Sequence, residues 1–113
     1  MASHITITPV SGPVSVSAGG ATLGVSRKAL ELKEGSYPAV LYVPREDIDM
    51  GRLERTTRST TCPHKGAASY YSIRTGDGVL DNAVWSYETP KADMAAIAGH
   101  LAFYTDRVTV TRG

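Results

Sequence analysis

Only one cysteine, Cys62, occurs in the 113 residues, which excludes an intrachain disulfide and leaves no thiol pair for a zinc ribbon. That scarcity fits a reducing, cytoplasmic setting. No Lys, Arg, Asp or Glu stands in the first 26 residues. Those residues are nevertheless rich in Ser, Thr, Gly and Pro and lack the basic start and apolar run of a leader or anchor. They read as strands and turns of a soluble protein. The net charge is only +1, so nothing draws the chain as a whole toward nucleic acid or a membrane, and neither partner is expected. Metal ligands are scarce too. Cys62 and His64 supply two at most, and His4 and His100 lie far off without ligand spacing, so no metal and no cofactor are expected.

What is present describes a single β domain over residues 1–113. A chain of this length buries enough surface for one core, and a hydrophobic content of 42% is that of a folded chain. Ile5 and Ile7 alternate with Thr6 and Thr8, and Val14 and Val16 with Ser15 and Ser17, as half-buried strands do. Gly19-Gly20 turns the chain into Thr22–Val25, while residues 27–33 fit a strand or a short helix equally. Ala39–Val43 is a strand stopped by Pro44, and Arg45–Ile48 suits one helical turn. From there to Gly66 no period is visible, and a long functional loop is expected. Ala68–Thr75 and Val79–Tyr87 form a hairpin about Gly76-Asp77-Gly78, since Asp-Gly accepts positive φ. Trp85 and Tyr87 then share one face and Val84 and Ser86 the other.

Thr89 and Pro90 suit a helix start, and Met94, Ile97, Ala98 and Leu101 follow helical spacing ahead of a last strand around Val108 and Val110. That strand is expected in the main sheet. The resulting class is mainly antiparallel β, a two-sheet sandwich or a partly open barrel, with one short helix near the C-terminus.

Chemistry concentrates between Arg58 and Gly66, where Arg58, Cys62, His64 and Lys65 fall within nine residues. Residues 51–75 carry Arg52, Arg55, Arg58, Lys65 and Arg74 against Glu54 alone, an excess of four positive charges. Cys62 is the one candidate nucleophile or redox thiol, favoured by neighbouring cations, with His64 or His100 as a base. Lys65 before Gly66 suits the capture of a phosphate or carboxylate, although the earlier glycine and the hydroxyl residue of a Walker A loop are missing. Tyr70, Trp85, Tyr87 and Tyr104 can wall an amphipathic pocket, while Tyr71 and Phe103 belong to the core.

Four blocks carry a resemblance: Tyr42-Val43-Pro44-Arg45-Glu46-Asp47, Thr61-Cys62-Pro63-His64-Lys65-Gly66 running on to Tyr71, Ala83-Val84-Trp85-Ser86-Tyr87, and Ala95-Ala96-Ile97-Ala98-Gly99-His100 running on to Tyr104. In order and spacing they resemble the DUF427 family over about residues 21–112. The resemblance implies a small, mainly β domain without an established activity, some of whose members bear a nucleotidyltransferase-like label. The alternating carboxylates such a transferase needs are missing, Glu46-Asp47-x-Asp49 after Pro44 being the nearest approach. Cys62, Pro63, Lys65 and Gly66 occupy the family's Cys-Pro-x-Lys-Gly motif. His64 stands where relatives carry an aromatic ring, which implies packing rather than base catalysis. Thr105 replaces another aromatic residue, which implies a more open pocket wall.

The expectation is therefore a small-molecule site near Cys62–Gly66. Lys65 meets an anionic group there with Arg45 or Arg58 assisting, and Tyr70, Trp85, Tyr87, His100 and Tyr104 line it. An enzyme built on Cys62 is the alternative, and a protein-interaction module that forms a homodimer is a third.

Overall fold

The computed structural model describes residues 4–113. Among them the strands are β1 (Ile5–Pro9), β2 (Val14–Ala18), β3 (Ala21–Ser26), β4 (Leu30–Glu34), β5 (Val40–Tyr42), β6 (Leu53–Cys62), β7 (Gly66–Thr75), β8 (Gly78–Ser86), β9 (Leu101–Phe103) and β10 (Thr109–Arg112). They form three antiparallel sheets in the orders β1-β4-β5, β10-β2-β3 and β6-β7-β8-β9. The fold is mainly antiparallel β, as expected, and no sheet closes into a barrel. One pair of hydrogen bonds joins the first sheet to the last: Val43 and Leu101 exchange N–H···O bonds of 2.8 Å.

The side-chain alternation of β7 and β8 divides the apolar residues between two clusters. Tyr71, Ile73 and Val84 enter a core completed by Val14, Val16 and Leu23 of the β10-β2-β3 sheet. Tyr70 and Tyr87 enter a second core with Leu32, Tyr42 and Ile97, against which Trp85 packs. Register agrees with this division, because Tyr70 lies opposite Trp85 and Tyr71 opposite Val84. The four-stranded sheet thus packs against a different core on each side.

Three expectations change. The chain from Asp49 to Gly66 is not a long loop: after the expected turn, seen at Arg45–Asp47, a second 3-10 turn, Met50–Arg52, leads into ten-residue β6. This strand is the outer edge of its sheet and is wet along much of both faces, so it carries no hydrophobic period. Its Thr-rich sequence supplies β-propensity instead. The helix expected after Thr89 is a six-residue 3-10 segment, Ala92–Ile97, bent at Met94 and entered from Lys91 without a side-chain cap. Leu101, assigned by spacing to that helix, lies in β9, where its bonds to Val43 outweigh the helical pattern. The last strand pairs with β2, not with the larger sheet. The ambiguous stretch resolves as β4, which lies between β1 and β5.

The 3-10 turn at Met50–Arg52 has a side-chain cap, since Asp49 accepts from the Gly51 N–H at 3.1 Å. Asp49→Ala is expected to cost about 1 kcal/mol through loss of that cap. A urea-unfolding midpoint unchanged from the parent would show the cap to be dispensable.

Candidate functional site

The Cys62–Gly66 segment closes the β6–β7 hairpin, with Cys62 and Gly66 paired and Pro63-His64-Lys65 as the turn. Gly66 takes φ 112°, a region costly for a residue with a Cβ. The Lys91 N–H donates to the Lys65 carbonyl at 3.0 Å, which ties the turn to the chain just before the 3-10 segment. Held in this way, the Lys65 side chain points inward and is only 11% exposed. Its Nζ lies 3.1 Å from Glu34 Oε1 and 5.8 Å from the centre of the Tyr87 ring. Burial alone would lower the Lys65 pKa, but the Glu34 hydrogen bond and neighbouring acidic groups raise it. The ammonium is therefore retained.

This ion pair lines a cavity of about 270 Å³. Tyr42, Tyr70, Trp85, Tyr87 and Tyr104 supply its aromatic walls, with Leu32 and Val40 between them. Trp85 Nε1–H donates to Tyr42 Oη at 3.3 Å, and the two rings meet edge to face. Trp85 and Tyr104 lie 4.6 Å apart between ring centres. Burial raises the pKa values of Tyr42 and Tyr87, so both phenols stay protonated at neutral pH. Tyr70 differs: burial would raise it, but hydrogen bonds with Thr60, Tyr104 and Arg58 bring it below the ordinary phenol value. Tyr104, desolvated and beside Tyr70, is pushed up to about 12.

A family profile described as a domain of unknown function (DUF427) matches residues 6–112. The chain belongs to the DUF427 family. A comparison with curated proteins returns no match.

In this DUF427 domain the structure gathers five of the residues singled out in the sequence, Lys65, Tyr70, Trp85, Tyr87 and Tyr104, around one cavity. It does not bring the others with them. Arg45 lies on the opposite side of the four-stranded sheet, bonded to Tyr71 at 3.3 Å, Ser86 at 3.3 Å, Glu88 at 3.0 Å and the Gly99 carbonyl at 2.8 Å. Its guanidinium is occupied by this internal network rather than presented to the cavity. Arg58 is exposed on β6 with its guanidinium 5.0 Å from the centre of the Tyr70 ring, so it backs one wall without lining the space. His100 bonds the Ala98 carbonyl through Nδ1 at 3.1 Å and does not line this cavity. Cys62 is half-buried against the second core and also lies outside the lining. The acidic run is used structurally: Asp47 accepts from Ser26 and Asp49 from Gly51. Among the described residues no group of three metal-ligating side chains gathers, and no helix is long and apolar enough to cross a membrane.

Glu34 and Tyr42 escaped the sequence reading as site residues. Glu34 sits 31 positions from Lys65, just past the ambiguous stretch 27–33, so nothing local signalled the pairing. Tyr42 was visible only as one aromatic among several.

Proposed function

We propose that this domain binds a small molecule carrying a neutral polar head in the cavity beside Lys65. One observation supports the reading above the rest: a nearly buried lysine, paired with Glu34, faces a space walled by aromatic rings. The pair changes the chemistry expected from the sequence. Glu34 already balances the ammonium, so a free phosphate or carboxylate would add uncompensated negative charge in a poorly solvated space. A carboxamide or hydroxyl head instead accepts from Lys65 and exchanges hydrogen bonds with the protonated phenols of Tyr42 and Tyr87. A cavity of this size suits a fragment-sized group, and the Trp85 ring offers it a flat apolar surface.

A thermal-shift panel tests this. Small amides and alcohols are expected to include at least one stabiliser, worth about 2.7 kcal/mol at a hundredfold excess over Kd. Matched carboxylates and phosphates should give less. Lys65→Met combined with Glu34→Gln keeps the site neutral and is expected to reduce that stabilisation sharply. If the double variant responds as the parent does, the head group does not bind at this pair.

A further inference from the structure

A second, larger cavity of about 540 Å³ adjoins the first. Tyr37, Pro38, Val40, Trp85 and Tyr104 line both, so the two spaces share a wall. The origin of the larger space is visible in the strand register. Val43 and Leu101 form an isolated antiparallel bridge between β5 and β9. The next pair in that register would be Leu41 with Phe103, two residues further along each strand. Among the described residues they are not bridged; both line the cavity instead. The two sheets therefore separate beyond Val43 and leave a wedge, with Val110 of β10 also in its lining. The wedge is apolar along Leu41, Phe103 and Val110, its one charged lining residue, Arg112, being paired with Glu31, while the adjoining cavity holds the Lys65–Glu34 pair and the phenols. Tyr37, 70% exposed, stands at the edge of both. Thr105 also contributes to the wedge.

We infer that the ligand is an amphipathic small molecule whose apolar body fills the wedge between β5 and β9 while its neutral head reaches Lys65 and Glu34. This rests on the head-group reading above, and the wedge adds the apolar half of the recognition. Two features favour one small molecule over a protein partner. The space is concave and adjoins the polar cavity, and the Lys65–Glu34 pair carries no net charge with which to attract a charged chain.

The test uses primary alkanamides from butanamide to decanamide, titrated into the full chain. Binding is read by calorimetry and by the fluorescence of Trp85, the only tryptophan and a lining residue of both cavities. Affinity is expected to rise about fourfold per methylene and then to level off once the wedge is full. Val110→Trp, which occupies the wedge and is followed by calorimetry, should flatten that dependence. Ala39→Phe, at an exposed position lining only the wedge, serves the same purpose if the first variant folds poorly. The Lys65→Met, Glu34→Gln variant should weaken every member by a similar factor and leave the slope intact. Affinity independent of chain length, or an unaltered slope in both wedge variants, overturns the wedge assignment while the head-group site stands. An intact slope with no effect of the double variant removes the head-group reading alone and detaches the wedge from it. A dimer seen by sedimentation that alkanamides dissociate would give the wedge to a second copy of the chain and overturn the inference.

Discussion

Gly24→Ala is expected to cost about 3 kcal/mol or more, at the upper end of what overpacking in a closed interior does. The backbone at Gly24 is extended, so conformation is not the difficulty. A Cβ there would penetrate the carbonyl oxygen of Asp47 and crowd Ile48 Cδ1. A flexible neighbour could give way, but this one is backbone held from several sides. Ser26 Oγ donates to Asp47 Oδ2 at 2.7 Å, the Asp49 N–H donates to the Leu23 carbonyl at 2.8 Å, and Gly24 and Ile48 form a bridge. Ile48 is itself buried in the first core. Relief of the clash must therefore move the Arg45–Asp47 turn away from β3, which also displaces Arg45 from its partners. In a domain of this size such a loss lowers the melting temperature by on the order of 10 °C or more. Gly76→Ala is the control, because a Cβ there meets nothing within 4 Å. Equal melting temperatures for the two variants would show that the turn yields more easily than its hydrogen bonds imply.

The second large effect belongs to Glu88. Its carboxylate accepts from Tyr71 Oη at 2.5 Å, from Arg45 at 3.0 Å and from Arg55 at 2.7 Å, and Arg55 also donates to Ser69 Oγ. Burial alone would raise its pKa, but the hydrogen bonds from Tyr71, Arg45 and Arg55 hold it at about 2 against an ordinary value of 4.5. A depressed carboxylate pKa stabilises the fold above the unfolded value, and that contribution disappears as pH falls through the folded one. Glu88 is about a quarter exposed and Arg55 more than half, so solvent screening brings the contribution of this shift down to roughly 1–2 kcal/mol at neutral pH. The parent should lose this stability between about pH 4.5 and pH 2. Glu88→Gln should be destabilised by a similar amount at pH 7 and show a flatter acid limb in urea titrations. A comparison is provided by Glu54→Gln, whose exposed pair with Arg74 should be worth less than about 1 kcal/mol. Parallel acid limbs for parent and Glu88→Gln would remove the network from the account of stability.

These two effects share Arg45, which explains the misplaced expectation for that residue. In the sequence Arg45 is one cation among several near a charged turn. Its partners Tyr71, Ser86 and Glu88 lie 26, 41 and 43 positions away. No local pattern shows that a guanidinium will be used up inside the protein. Lys65 has the same ambiguity: its ammonium is also paired inside, with Glu34, but beside a cavity. Pro63 and Gly66 make its turn legible, but the ammonium's direction and its pairing with Glu34 depend on how β4 and β7 meet.

The periodic parts of the fold were legible because alternation is a local property of the chain. Val14 and Val16, the β7–β8 hairpin about Asp77, and the opposed faces of Val84 and Trp85 all lie where the pattern puts them. Strand β6 was not legible, since an edge strand wet on both faces has no period to read. The helical spacing through Leu101 misled for the converse reason, because four apolar residues meet that spacing while the cross-sheet bonds to Val43 make the last of them a strand. By itself, then, the sequence determined an antiparallel β chain and a constrained turn carrying Cys62 and Lys65. Only the tertiary structure decided that Lys65 faces inward beside Glu34, that Arg45 and Cys62 stand apart from the cavity, and that β5 and β9 part beyond Val43. Each of those outcomes depends on contacts between residues distant in sequence, whose free energies no local window contains.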